Sequence, residues 1–230
     1  MLHLILADSE LETVPPEISS EKSIRWKAQR RGRKPTELIL DSNYDHRIMR
    51  KLPDSERRGR PDIIHVCMLA ALDSPLNRED LLKLYIHTRN DKIIDVASET
   101  RIPRSYNRFI GLIEQLFLTG EVPPEGPLLR LRDGTLRGIV EEINPEKAIT
   151  FSSREQEFRR ESLFDEVKKE DDVCIIVGGF PHGDFLSRVG ELSDEIVRIY
   201  PEEFEALTAV THAIHFYEDE FEVLKGSFNK

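Results

Sequence analysis

The segment DDVCIIVGGF, 171–180, sets five consecutive apolar residues between two aspartates and two glycines. An apolar run without alternation marks a strand covered on both faces, and such strands belong to parallel sheets flanked by helices. The opening LHLILA, 2–7, reads as a second buried strand. Further strands are expected at 36–43, 82–88, 92–96, 128–131, 147–152 and 195–200, with Arg89-Asn90-Asp91 turning a hairpin. IIHVCMLAAL is apolar nearly all round, so a buried helix is expected after Pro61, which suits a first helical turn. Phe109, Leu112, Ile113, Leu116 and Phe117 recur at helical spacing, with Gly120 as the cap. Helices are also expected from Thr135 to Ile143, over a charged stretch at about 153–169, and over 201–221. Glu21–Pro35 reads as an exposed helix end and loop, and 52–61 and 122–127 as loops. The alternation of strands and helices predicts an α/β fold with a mostly parallel sheet and flanking helices. No repeat or low-complexity tract divides the chain, so residues 1–230 are read as one domain with an N-terminal basic elaboration.

Several classes are set aside early. No apolar run approaches the roughly 18 residues that cross a bilayer. MLHLILADSE lacks a basic leader and is not expected to be a signal peptide. Cys67 and Cys174 lie inside apolar runs and are expected to be reduced core residues of a cytosolic protein. No Cys/His spacing fits a metal site, so none is expected. The net charge of −10 speaks against a polyanion partner only on average. Residues 1–110 carry 20 Lys+Arg against 17 Asp+Glu, whereas residues 111–230 carry 13 against 26. Phosphate contacts need a local basic face, which the first half can supply.

Three short stretches can carry chemistry. VGGFPHGDF, Val177–Phe185, follows the central strand, and ligands of open α/β sheets sit outside the carboxyl ends of strands. Gly178, Gly179 and Gly183 would let the backbone approach a ligand, although a tight structural turn explains them equally well. The loop has neither a dinucleotide fingerprint nor the lysine of a phosphate loop, so an adenosine-type ligand held by main-chain groups fits better. His182 is read as a rim residue there. TRIPRSYNR places Arg101, Arg104 and Arg108 at a helix start, where cations oppose the dipole unless an anion is expected; a solvated face is the other reading. RRGRPDIIH sets Arg57, Arg58 and Arg60 beside Asp62, which either complements the dipole of the following helix or aims an arginine.

RRGRPDIIH, DSPLNR, YIHT, TRIPRSYNRFIGLIEQL, GGFPHGDF and IYP occur in one order across about residues 57 to 221. Together they resemble the ribosome-biogenesis pseudouridine N1-methyltransferase family, of the SPOUT superclass of α/β-knot methyltransferases, in its archaeal form. The resemblance implies a carboxyl-terminal trefoil knot, a homodimer, a cytoplasmic enzyme, and S-adenosyl-L-methionine as cofactor. It implies methylation of N1 of a pseudouridine in small-subunit ribosomal RNA.

Carried over by position, Val177, Gly178, Gly183, Val197, Arg198, Ile199, Tyr200, Pro201 and Glu202 would contact the cofactor. Arg57, Arg58, Arg60, Arg101, Arg104 and Arg108 would contact RNA, and Asp62 with Arg60 would form the catalytic pair. Glu202-Glu203 departs from the apolar residues the family pattern leads one to expect after Tyr200-Pro201. The alternatives are a non-catalytic ribosomal-RNA-binding assembly factor and a SPOUT methyltransferase of another RNA nucleotide.

Overall fold

Every residue of strand β1 (Leu2–Ser9) is buried, and so are five of the six in β7 (Val173–Gly178). The two run parallel, in register from Leu2↔Val173 to Ala7↔Gly178. Their side chains alternate between two cores, with Leu4, Leu6, Ile175 and Val177 on one face and Ile5, Ala7, Cys174 and Ile176 on the other. Each leucine, isoleucine or valine among them contributes about 1.5–3 kcal/mol on full burial. The chain is described by a computed structural model for residues 1–153 and 163–227.

The sheet is eight-stranded, in the order β4-β5-β3-β2-β1-β7-β6-β8. β2 (Leu82–Thr88), β1, β7, β6 (Lys147–Phe151) and β8 (Glu195–Val197) are parallel. β3 (Lys92–Val96), β5 (Leu129–Asp133) and β4 (Glu121–Val122) extend it antiparallel, beginning with the hairpin expected at Arg89–Asp91. The mostly parallel α/β reading therefore holds.

Helix α1 (Pro16–Ser19), α2 (Lys22–Arg31) and α3 (Ser42–Met49) lie between β1 and the helix after Pro61. That helix, α4 (Pro61–Asp73), is followed by the single turn α5 (Pro75–Arg78). α6 (Tyr106–Thr119) ends at Gly120, and α7 (Leu136–Ile143) is capped by the Thr135 hydroxyl, which accepts from the Gly138 N–H at 3.1 Å. α8 (Ala206–Glu220) and α9 (Val223–Ser227) close the chain. α4 packs along α8 and also against α6 on the larger core face. Among the described residues no helix is long and apolar enough to cross a membrane.

Three expectations change, and a fourth falls largely outside the described residues. The strand expected over 36–43 is a 3-10 turn at Pro35–Glu37, one bridge from Ile39 to Thr13, and then α3. Leu38 and Leu40 are buried, but in a third cluster with Ile18, Ile24, Ala28, Met49 and Leu52, so their alternation serves a helical module rather than the sheet. The Asp41 carboxylate accepts from the Asn43 N–H at 2.9 Å and starts α3 there. The charged helix expected at about 153–169 falls largely outside the described residues, with turns at 163–166 and 169–170. The strand expected over 195–200 stops at Val197, and the closing helix starts at Ala206. The residues between, 198–205, are loop, because Pro201 interrupts the run.

Candidate active site

The carboxyl ends of β6, β7 and β8 open onto one cleft. Phe151, Val177, Ile199, Phe204, Ala206 and Ala209 give it an apolar floor. Ser152, Ser153, the 180–185 loop, Arg198, Tyr200, Glu202 and Glu203 form its polar rim. Seven of the nine residues expected to bind a cofactor line it: Val177, Gly178, Gly183, Arg198, Ile199, Tyr200 and Glu202. Val197 is instead buried in β8, its carbonyl accepting from the Ser152 N–H at 2.9 Å, and Pro201 lies exposed outside the lining. The Glu203 carboxylate accepts from the Ser153 hydroxyl at 3.0 Å, so one member of the acidic pair closes the rim against β6. Arg198 Nε is buried without a hydrogen-bond partner among the described residues.

The glycine loop is fixed from three sides. A Cβ on Gly179 would stand 2.9 Å from the Ser9 Cα, so the loop and the end of β1 touch backbone to backbone. Gly183 has φ +92, a conformation that L side chains rarely adopt. The buried Asp8 carboxylate accepts from the Leu186 N–H at 2.7 Å, the Ser187 N–H at 2.9 Å and the Ser187 hydroxyl at 2.7 Å. Arg57 donates from Nη1 to the Asp184 carbonyl at 2.8 Å and stacks 4.4 Å over the Phe180 ring. His182 is exposed and pairs with the Glu56 carbonyl at 3.2 Å, a rim position as expected.

Arg57 and Arg58 are each only 8% exposed, so neither offers its guanidinium to a polyanion at the surface. Arg57 Nε donates to Glu10 Oε1 at 2.5 Å, and Arg58 holds Glu12 through two bonds of 2.7 Å. The expectation of both as RNA contacts is corrected: two buried carboxylates hold them inside. A buried charge must be paired, and linear clustering does not reveal which arginines do that work.

Arg60 behaves differently. Its Nε donates to Asp62 Oδ1 at 2.9 Å and its Nη2 to Oδ2 at 2.8 Å, a bidentate pair about one-third exposed on each side. Asp62 raises the Arg60 pKa first by these bonds, against desolvation, and the carboxylates of Asp62 and Glu205 add to it. Glu205 directly precedes Ala206, the first residue of α8 and part of the cleft lining. The N-cap of α4 is Arg60, with no side-chain cap bond, so Asp62 aims the arginine instead of capping.

α6 starts at Tyr106, which places Arg101 and Arg104 in the preceding loop and Arg108 in the first turn. All three are exposed and have no ion-pair partner among the described residues. Tyr106 donates its hydroxyl to Asp41 Oδ2 at 2.7 Å, and desolvation first, then that bond, raise its pKa. Its hydroxyl is thus held, and its ring tilts against His65, whose Nε2 meets the Pro103 carbonyl at 2.8 Å. Phe109 stacks on His65 at 4.4 Å inside the core. Phe151, Ser152 and Ser153 escape the sequence reading, although the end of the strand beside β7 was the signal. Among the described residues no cluster of His, Cys, Asp or Glu is arranged to hold a metal ion.

The family model described as EMG1/NEP1 methyltransferase matches residues 4–218. The chain is 48% identical over 228 residues to the ribosomal RNA small subunit methyltransferase Nep1 of Pyrococcus furiosus, covering 97% of this chain and 98% of that one. It is 43% identical over 218 residues to the protein of the same name from Thermococcus kodakarensis, covering 95% and 98%. Among solved structures it matches Archaeoglobus fulgidus Nep1 bound to S-adenosylhomocysteine, with a TM-score of 0.83 and 35% identity over 94% of this chain and 97% of that one.

The burial difference between the two carboxylates sets an expected contrast in stability. Glu10 is 0% exposed and faces two arginines, so Glu10→Ala is expected to cost about 3–5 kcal/mol by leaving buried charge unpaired. Asp62→Asn is expected to cost under about 1 kcal/mol, since that pair is partly solvated. Urea unfolding of the two variants checks this; equal losses would place Glu10 in a solvated pair.

Proposed function

The chain belongs to the EMG1/NEP1 methyltransferase family, and on that footing we propose that it methylates N1 of a pseudouridine in small-subunit ribosomal RNA, using S-adenosylmethionine. The observation that carries the reading is the cleft at the ends of β6, β7 and β8, whose glycine loop is tied through the Glu10 backbone to Arg60 and so to the bidentate Arg60–Asp62 pair. The residues present fit such a cofactor. The floor is apolar, the loop backbone is exposed, Arg198 Nε lacks a partner, and Glu202 and Glu203 put negative charge beside a ligand that carries a sulfonium. Val177, Gly178, Gly183, Arg198, Ile199, Tyr200 and Glu202 would hold it, with Phe151, Ser152 and Ser153 completing the wall. A pure assembly factor has no use for this cleft.

When bound, S-adenosylmethionine supplies a methyl group already activated on a positive sulfur. What remains for the protein is alignment and removal of the acceptor proton. Pseudouridine has a free N1–H, whereas N1 of uridine is tied into the glycosidic bond, so substrate choice has a covalent basis. Arg60 would hold the target nucleotide, and Asp62 keeps its guanidinium in one plane by the two bonds. Each Asp62 oxygen already accepts one Arg60 proton and retains a lone pair able to take the N1 proton. Arg101, Arg104 and Arg108, free of internal carboxylates, would take the phosphates. The homodimer, the carboxyl-terminal knot and the cytoplasmic location belong to the same proposal, supported by the family membership.

The direct test offers labelled cofactor to matched RNA hairpins carrying pseudouridine or uridine. Label is expected in the first alone; label in both, or in neither, overturns the assignment.

For the catalytic pair, single-turnover methylation by Asp62→Asn is expected to fall about tenfold or more with cofactor affinity and melting nearly unchanged, because a misplacement of about 1 Å can cost roughly a hundredfold. Arg60→Ala should add little to Asp62→Asn, since the two act as a unit. Additive losses would separate their roles.

Replacing Arg101, Arg104 and Arg108 together by alanine is expected to weaken hairpin binding and flatten its salt dependence by a slope of about 1 for each phosphate left without its arginine. Wild-type binding by that variant would leave these arginines as solvated surface.

A further inference from the structure

We propose that helices α2 and α3 form a second RNA-binding face, on which unpaired bases flanking the substrate hairpin stack. The inference rests on the RNA-methyltransferase reading above and extends it to a module that the catalytic cleft does not use. Two aromatic side chains there are turned out to solvent, Trp26 at 58% and Tyr44 at 65% exposure. α2 already fills its core side with Ile24 and Ala28, so Trp26 is not a core residue left partly uncovered. Each ring carries a cation: the Arg30 guanidinium lies 4.6 Å from the Trp26 ring, and the Lys27 ammonium 5.9 Å from that of Tyr44.

Charge points the same way. Residues 21–51 hold 10 Lys+Arg against 4 Asp+Glu, in a chain whose net charge is −10. All four acids are engaged: Glu21 by Lys51, Glu37 by Lys34, Asp45 by Lys27, and Asp41 by the Tyr106 hydroxyl. Arg31 and Arg33 reach Glu114 and Gln115 on α6. Lys22, Arg25, Arg30, Arg47 and Arg50 are exposed and have no ion-pair partner among the described residues. Aromatic faces interleaved with free cations are what a single strand needs, because bases stack on the rings while cations follow the backbone. A duplex would use the cations and leave the rings idle.

The module is also bonded to the proposed active site. The Ser42 N–H donates to the Gly59 carbonyl at 2.8 Å, one residue before Arg60, and Asp41 ties α3 to Tyr106 at the start of α6. α3 is thus joined directly to the segments that carry Arg60 and Arg108.

Trp26 is the one tryptophan of the chain, so its emission reports directly on stacking. The test compares a blunt pseudouridine hairpin with the same hairpin bearing a single-stranded extension on either side. The extended RNA is expected to quench Trp26 emission and to bind about tenfold tighter, the scale of one or two stacked bases. The blunt hairpin should be methylated without quenching. Trp26→Ala with Tyr44→Ala, both at exposed positions, should abolish the extra affinity while the methylation rate of the blunt hairpin stays unchanged. Extended RNA that binds no tighter, or binds with unchanged emission, overturns the proposal and leaves this face to a protein partner. A wild-type enzyme that methylates no hairpin overturns the parent reading as well.

Discussion

The Glu10 carboxylate, fully buried at the end of β1, is the constraint on which the site depends. A charge in that position is tolerated only if its oxygens are satisfied. Arg57 takes Oε1 at 2.5 Å and Arg89, from the β2–β3 turn, takes Oε2 at 2.7 Å. The backbone of the same residue donates to the Gly179 carbonyl at 3.0 Å and accepts from the Arg60 N–H at 2.8 Å. One residue thus fixes the glycine loop, the 57–60 loop and the hairpin turn relative to β1. The distance between the cleft and the Arg60–Asp62 pair follows from that junction, with Asp8 securing the far end of the loop.

This junction explains what the sequence concealed. Arg57, Arg58 and Arg60 read as one basic cluster, but two point inward and one outward. The deciding partners, Glu10 and Glu12, lie 47 and 46 residues upstream, beyond the reach of any local pattern. Asp62 was legible because its partner is two residues away and the chemistry of a bidentate pair is local. Arg101, Arg104 and Arg108 are all exposed, but the loop before Tyr106 carries two of them, where the sequence pattern suggests the face of a helix.

The fold was readable where a single pattern had a single cause. VCIIV could only be a doubly covered strand, and it sits between β1 and β6. Residues 36–43 misled because Leu38 and Leu40 alternate for the sake of a separate helical cluster, while Ile39 makes one bridge to Thr13. The cleft was half readable: its glycine loop announces itself, whereas Phe151, Ala206 and Ala209 join it only through strand order and the position of α8.

Charge, finally, is divided within the molecule in the way the proposed reaction needs. A polyanionic substrate and a cationic methyl donor must meet at one nitrogen, and no uniform surface favours both. Screening over about 8 Å at physiological salt lets two opposite fields coexist on a small protein. Glu202 and Glu203 stand at the cleft that would take the donor, and Arg101, Arg104 and Arg108 are exposed and lie outside its lining. Arg60 is held by Asp62 through two hydrogen bonds. Asp62 holds its plane fixed, leaving the guanidinium donors not used by Asp62 to meet the RNA in the proposed reaction. The net charge of −10 is then no argument against RNA, since phosphate contacts need only a local set of free cations.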